Sequence, residues 1–344
     1  MKRRLLILAC PGERAELRGD LDAIAKRVAR QAPEIDVIVA GQHRRDQLKL
    51  LARAFRPTLT VGFGRLRKRR FLVGEILHCP RIPKHIEMER LRGAGVSVPD
   101  WVVVAPGTTL DRAAWGPYVV VKPTGGSRGR EVRIRKTGRV RYAPPESFPS
   151  EHPIRKGPLM AQRFVYTGPW AVSYRVSTFF GRALYCWRVE QSHEKRRLES
   201  RFEFAGGADG GGIQIIAPSK TSTYTLVDDE EVIALAERAH QLAFPDYPFL
   251  GVDIVRDAES GEVSVVEVNS GGGVWHLSST AGVSIQQTHG LDFYRQFDAL
   301  DRASERLIEV TRRRAIVAPI GRTLAPFRAR KRRRDSRMAS PFGP

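Results

Sequence analysis

The stretch Gly251–Asn269 constrains this chain more than any other part of it. It reads Gly-Val-Asp253-Ile-Val-Arg-Asp-Ala-Glu-Ser-Gly-Glu-Val-Ser-Val-Val-Glu267-Val-Asn269. Two β-branched runs flank a polar turn at Asp257–Gly261, so the pattern predicts a β-hairpin. Alternation along the second strand sends Glu267 and Asn269 to one face. Asp253 on the partner strand can reach that face, directly opposite or diagonally. Two carboxylates and an amide then converge inside an otherwise apolar hairpin. Carboxylates that close repel unless a cation lies between them. An all-oxygen set of this kind suits Mg2+, which usually binds through one or two carboxylates plus phosphate oxygens. Mn2+ is the alternative ion for the same donors. The competing explanation is an ordinary hairpin with a solvated acidic face.

A second motif points the same way. In Tyr118-Val-Val-Val-Lys122-Pro-Thr-Gly125-Gly126-Ser127-Arg128-Gly129 an apolar strand ends in a lysine and a glycine-rich loop follows. Val132 and Ile134 then mark a return strand. Glycines let backbone N–H groups close around anionic oxygens, because no Cβ blocks the approach. Ser127 adds a hydroxyl donor, and Lys122 supplies a point charge for α- or β-phosphate oxygens. No Gly-Lys-Ser/Thr opens a helix here, so this is not a P-loop.

In this order and spacing, the two motifs resemble those of the ATP-grasp superfamily. The similarity is to carboxylate–amine ligases of the ribosomal-protein glutamate ligase and D-alanine–D-alanine ligase type. It extends to Lys84-His-Ile-Glu-Met-Glu-Arg-Leu-Arg-Gly93-Ala-Gly95-Val-Ser-Val-Pro99, which is similar to that family's lysine, helix, Gly-x-Gly and proline entry segment. It covers about Pro83 to Ser279. The resemblance implies an α/β ATP-grasp fold and phosphate contacts from Lys84 and Lys122. It implies a loop of Gly125, Gly126, Ser127 and Gly129 over the phosphates. Adenine would be read along the hinge strand Gln162, Arg163, Phe164 and Val165. Arginines at 175 and 188 would serve the reacting phosphate, and Asp253, Glu267 and Asn269 would hold Mg2+. The implied partners are ATP and small carboxylate and amine substrates, or a peptide.

Three departures matter. Relatives often place an acidic residue after the hinge for the ribose hydroxyls, but Thr167–Arg175 contains no carboxylate. After the metal pair, Ser-Pro-Gly is replaced by Ser270-Gly271-Gly272-Gly273, followed by Trp275 and His276. The stretch 199–212 is glycine-rich but lacks the asparagine expected there. The competing functions are a small-molecule kinase on the same fold, and a non-catalytic binding protein that uses its basic end.

Charge and composition set the outer bounds. Of the net +21, a net +10 lies in residues 312–344, with eleven Lys or Arg against Asp335. Such an end is a solvated tail, or it contacts nucleic acid or anionic lipid. With 42% hydrophobic residues in 344, the chain can bury several cores. No apolar run approaches 18 residues, so no membrane span is expected. The five apolar residues before Cys10 are too few for a signal sequence and read as a strand. Three scattered cysteines fit a reducing cytoplasm.

The expected organisation has four parts. Residues 1–82 form an α/β domain with strands at Leu5–Ala9, Asp36–Ala40 and Thr58–Phe63 and helices near Arg14–Arg30 and Arg44–Phe55. Residues 83–158 form a lid. Residues 159–312 form a larger antiparallel-sheet domain that includes the hinge strand. Residues 313–344 are a disordered tail.

Overall fold

A computed structural model describes residues 4–10, 15–41, 55–64, 72–125, 131–191, 197–198, 200–202, 222–270 and 274–317. The chain divides into two compact units. The first is built from Met1–Cys79, Gly271–Ser279 and Leu300–Pro344, and the second from Pro80–Ser270 and Thr280–Ala299.

The first unit begins with β1 (Arg4–Ala9), α1 (Arg18–Gln31), β2 (Ile35–Ala40), β3 (Thr58–Gly62) and β4 (Glu75–Leu77). The strands pair in parallel in the order β2-β1-β3-β4. β1 lies inside this sheet, and Leu5, Leu6, Ile7 and Leu8 are all fully buried. That is why it reads as a continuous apolar run rather than an alternating one. α1 buries Leu21, Ile24 and Val28, the three-and-four spacing of one helix face. It starts four residues later than expected, because Ala15–Leu17 forms a short 3-10 turn. The helix expected over 44–55 falls almost wholly outside the described residues.

The second unit carries two antiparallel sheets. Its elements begin with α2 (Lys84–Gly93), β5 (Trp101–Val103), α3 (Arg112–Trp115), β6 (Tyr118–Pro123), β7 (Arg133–Lys136) and β8 (Leu159–Arg163). These strands form a four-stranded sheet in the order β5-β8-β6-β7. One face of it buries Val104, Val119, Val121, Val140 and Ala161 together. The alternate residues Lys122, Met160 and Gln162 therefore fall on the other face. The hinge strand Leu159–Arg163 was expected in the larger sheet. It pairs instead with β5 and β6, because Ala161 packs into the valine cluster of this smaller sheet.

The larger sheet consists of β9 (Val172–Phe179), β10 (Arg182–Glu190), β11 (Thr223–Leu226), β12 (Phe249–Arg256) and β13 (Val263–Ser270), ordered β11-β10-β9-β12-β13. α4 (Glu230–Ala243) is capped by Asp229, whose carboxylate accepts from Val232 N–H at 3.1 Å. The hairpin between β12 and β13 forms as the sequence predicts. Asp257 Oδ1 accepts from the N–H groups of Glu259 and Ser260, and Gly261 takes a left-handed φ of 77°. α5 (Thr280–His289) follows the sheet and has no counterpart among the elements expected from the sequence.

The helix over 299–314, α6 (Ala299–Arg314), belongs to the first unit. Arg312 pairs with Glu34, Arg314 with Glu75 and Asp301 with Arg27. Ile316 adds a bridge to Thr58. The basic end from residue 318 onward lies outside the described residues. The mixed α/β architecture expected from the sequence is the one observed. No helix among the described residues is long and apolar enough to cross a membrane. The three cysteines are buried.

Candidate functional site

The register of the larger sheet assembles the acidic group. Asp253 lies opposite Glu267 on one side and opposite Arg175 on the other. Asn269, two residues after Glu267, lies opposite Gly251 and so shares their face. Arg175 grips both oxygens of Asp253: Nε donates to Oδ1, and Nη2 to Oδ2 at 2.6 Å. Asn269 Nδ2 donates to the same Oδ2 at 2.8 Å. Asp253, Glu267, Asn269 and Arg175 thus come together as a hydrogen-bonded set.

Two lysines reach this set from other elements. Lys84, the first residue of α2, forms an ion pair with Glu267. Its backbone N–H donates to Thr124 O at 3.1 Å, which ties the helix start to the end of β6. Lys122 near the end of β6 donates to Val266 O at 2.9 Å. Both lysines are buried.

Electrostatics follow from this crowding. Burial pushes the Lys122 ammonium down to about 8, with Lys84 adding to the effect and Glu267 opposing it. Burial also pulls on Lys84, but the Glu267 partner outweighs it and holds that ammonium above its ordinary value. Burial pushes Glu267 up, yet Lys84 and Lys122 together carry it below the usual carboxylate range. Asp253 sits above that range, because burial outweighs its Arg175 partner.

The donor set fits Mg2+ in its chemistry. Two carboxylates face one another with an amide beside them, and all three can offer oxygen. Among the described residues no three His, Cys, Asp or Glu side chains gather as a metal cluster, so an ion here would depend on Asn269 and on groups from outside the chain.

The base of the glycine-rich loop is set by close packing. A Cβ on Gly125 would lie 2.6 Å from Lys156 O, and one on Gly157 would lie 2.5 Å from Thr124 Oγ1. Thr124 N–H donates to Pro158 O at 2.9 Å. Gly125 is therefore required by backbone contact. Gly126, Ser127 and Gly129 lie outside the described residues. Thr124 Oγ1 is buried and has no hydrogen-bond partner among the described residues.

In the hinge, Gln162 is buried with Nε2 against Met88 Sδ of α2. Arg163 N–H donates to Asp100 O at 2.7 Å, while its side chain is exposed. Phe164 and Val165 lie half-buried beyond the strand's end. Arg188 does not join the group. It lies opposite Tyr174 and Thr225, on the sheet face away from Arg175, and pairs with Glu190 at 2.6 Å.

Two features escaped the sequence reading. Glu87 on α2 is buried, and burial together with the neighbouring Glu267 pushes its carboxyl up to about 8. Its Oε2 has no hydrogen-bond partner among the described residues. The available signal was its position, because it shares a buried face with Lys84, Met88 and Leu91. Beside Arg175, Trp187 stacks on Tyr185 and Phe293 with ring centroids 5.6 and 4.9 Å apart. Trp275, in the first unit, does not line an open pocket. It is 1% exposed, donates to Asp20 Oδ2 at 2.7 Å and packs edge-on against Phe63.

No protein-family model and no curated protein matches the chain. Solved structures do. D-cycloserine synthetase DcsG matches with a TM-score of 0.47 at 17% identity, over 88% of this chain and 99% of that one. The ATP-grasp ligase PsnB complexed with minimal precursor gives 0.45 and 15%, over 88% and 98%. D-alanine–D-alanine ligase from Bacillus anthracis complexed with ATP gives 0.44 and 14%, over 89% and 98%. Over nearly nine-tenths of its length, the chain is similar in structure to these ligases.

Proposed function

We propose that this protein is an ATP- and Mg2+-dependent ligase that joins a carboxylate to an amine through an acyl phosphate. The observation that carries the reading is the meeting of Lys84 and Lys122, from separate elements, with Glu267 beside Asp253 and Asn269. Buried cations next to carboxylates on one sheet face form a place where a polyphosphate and a divalent ion can be bound together.

In this reading, Lys84 and Lys122 take phosphate oxygens, and the loop from Gly125 onward closes over them. The backbone of the hinge strand holds adenine. Asp253, Glu267 and Asn269 would hold Mg2+, which when bound supplies neutralisation of phosphate charge. Arg175 stabilises charge on the transferring phosphoryl group and on the substrate carboxylate. That carboxylate attacks the γ-phosphate and ADP leaves. The amine then attacks the acyl carbon, phosphate departs and the amine loses its proton. The protein supplies positioning and charge rather than a nucleophile. The reading includes a cytoplasmic setting, for which the three scattered cysteines of the sequence are the support.

The test measures ADP and phosphate release from Mg-ATP across pools of amino acids, dipeptides and small carboxylic acids, wild type against Glu267→Gln. Pool-dependent release of both products with a new amide, lost in the variant, supports the ligase. ADP release without free phosphate identifies a kinase instead. Equal release from the variant would sink the metal assignment.

A further inference from the structure

Every side chain proposed for the metal already has a partner inside the protein. Asp253 spends Oδ1 on Arg175 and Oδ2 on Arg175 and Asn269. Glu267 gives Oε1 to Lys84. Asn269 turns its NH2, not its oxygen, toward the carboxylate. Arg175 and Lys84 pair directly with the two carboxylates, while Lys122 stays nearby on the carbonyl of Val266, and the side chains of Arg175 and Lys84 are only 23% and 10% exposed.

We infer that Arg175 and Lys84 are internal stand-ins for the divalent cation, so that metal and nucleotide enter this site as a pair. The inference rests on the ligase reading and adds to it how the site is filled. A divalent ion arriving alone must displace a guanidinium and an ammonium and leave both beside it, poorly solvated. A nucleotide arriving alone must draw the same two cations away and strand two carboxylates. Breaking a buried pair by removing one partner is far costlier than exchanging partners. When both ligands arrive, the carboxylates and Asn269 pass to the metal and the cations pass to phosphate. No charge is then left unmatched. Asn269 rotates its amide to present oxygen, so it reports the same exchange.

Such coupling is reciprocal: each ligand raises the other's affinity by the same factor. It also predicts an effect of unusual sign. Removing a positive side chain from the site should tighten binding of the metal alone, because a carboxylate is released from its internal partner.

The experiment uses the full chain, with Mn2+ as probe followed by the EPR signal of the free ion, and ADP followed by calorimetry. In the wild type, ADP should tighten Mn2+ binding at least about tenfold, and Mn2+ should tighten ADP binding equally. Arg175→Met should bind Mn2+ alone about tenfold more tightly than the wild type and show weaker coupling. Lys84→Met should do the same through Glu267, and it decides the matter if Arg175→Met fails to fold. The inference is overturned if the wild type binds the two ligands independently. It is equally overturned if neither folded variant gains Mn2+ affinity. Failure of the ligase reading looks different. ADP would bind under no condition, while the gain in Mn2+ affinity of Arg175→Met would still mark the guanidinium as a stand-in.

Discussion

The ammonium of Lys122 closes on the carbonyl of Val266, and Val266 is the residue of β13 that has no opposite number on β12. Ile254 faces Val265 and Asp253 faces Glu267, so the chain accommodates one extra residue between them. A bulge of this kind bends the strand and re-aims the next side chain. β13 is an edge strand, and a bulged carbonyl there would need an outside donor. Lys122 is that donor, and Glu267 is the side chain re-aimed.

Lys122→Met should therefore weaken both nucleotide binding and stability. The substitution keeps the length of the side chain and removes a buried ammonium. Nucleotide affinity should fall at least about tenfold through loss of a charge-assisted phosphate contact. The urea midpoint should fall as well, because the Val266 carbonyl loses its donor and Glu267 loses a neighbouring cation. Wild-type ADP affinity by calorimetry would contradict the phosphate role.

Glu87 sets a pH dependence. Its folded value of about 8 lies above that of a free carboxyl, so the native state holds a proton that the unfolded chain has shed. Its contribution is present in acid and is lost as pH rises toward 8. Lys122, lowered to about 8, acts in the next window, and stability recovers as pH climbs from there toward the ordinary lysine value. Urea midpoints at pH 5.5, 8 and 9.5 should show a trough near 8. Glu87→Gln should remove the falling limb, and parallel curves for wild type and variant would refute this.

At the base of the loop, Gly125→Ala forces a Cβ onto Lys156 O, a backbone atom with little freedom to yield. The expected cost is about 1–3 kcal/mol, together with weaker nucleotide binding. Gly138→Ala is the control, since nothing lies within 4 Å of its added Cβ. Thermal melts that rank the two equally would remove the steric argument.

Asp20 Oδ2 accepts from Trp275 Nε1 and from Ser278 Oγ at 2.7 and 2.6 Å. Asp20→Ala removes the acceptor shared by both donors and should cost about 2–4 kcal/mol in urea unfolding. Asp20→Asn keeps an acceptor oxygen and should lose less. Equal losses would show that the hydrogen bonds carry little of the effect.

The hairpin, the parallel strands and α2 were legible in the sequence because each rests on a local pattern. Alternation gave Asp253, Glu267 and Asn269 one face, and the structure keeps it. What local pattern cannot supply is register between distant strands. Arg175 and Arg188 look alike along the chain. Only the pairing of β9 with β10 and β12 shows that the first meets Asp253 and the second turns to the opposite face. The hinge strand was misplaced for a related reason. Leu-Met-Ala-Gln-Arg suits either sheet, and the valines of β6 decide which. Glu87 went unnoticed because a lone glutamate in a helix ordinarily faces water.

The first unit is sewn from three stretches that are far apart in sequence, whereas Pro80–Ser270 supplies most of the second without interruption. As the chain leaves the ribosome, β1 to β4 emerge while Trp275 and α6 are not yet made. The strands β1 to β4 therefore finish folding only after the second unit has been made, and Asp20 waits some 250 residues for the indole that donates to it.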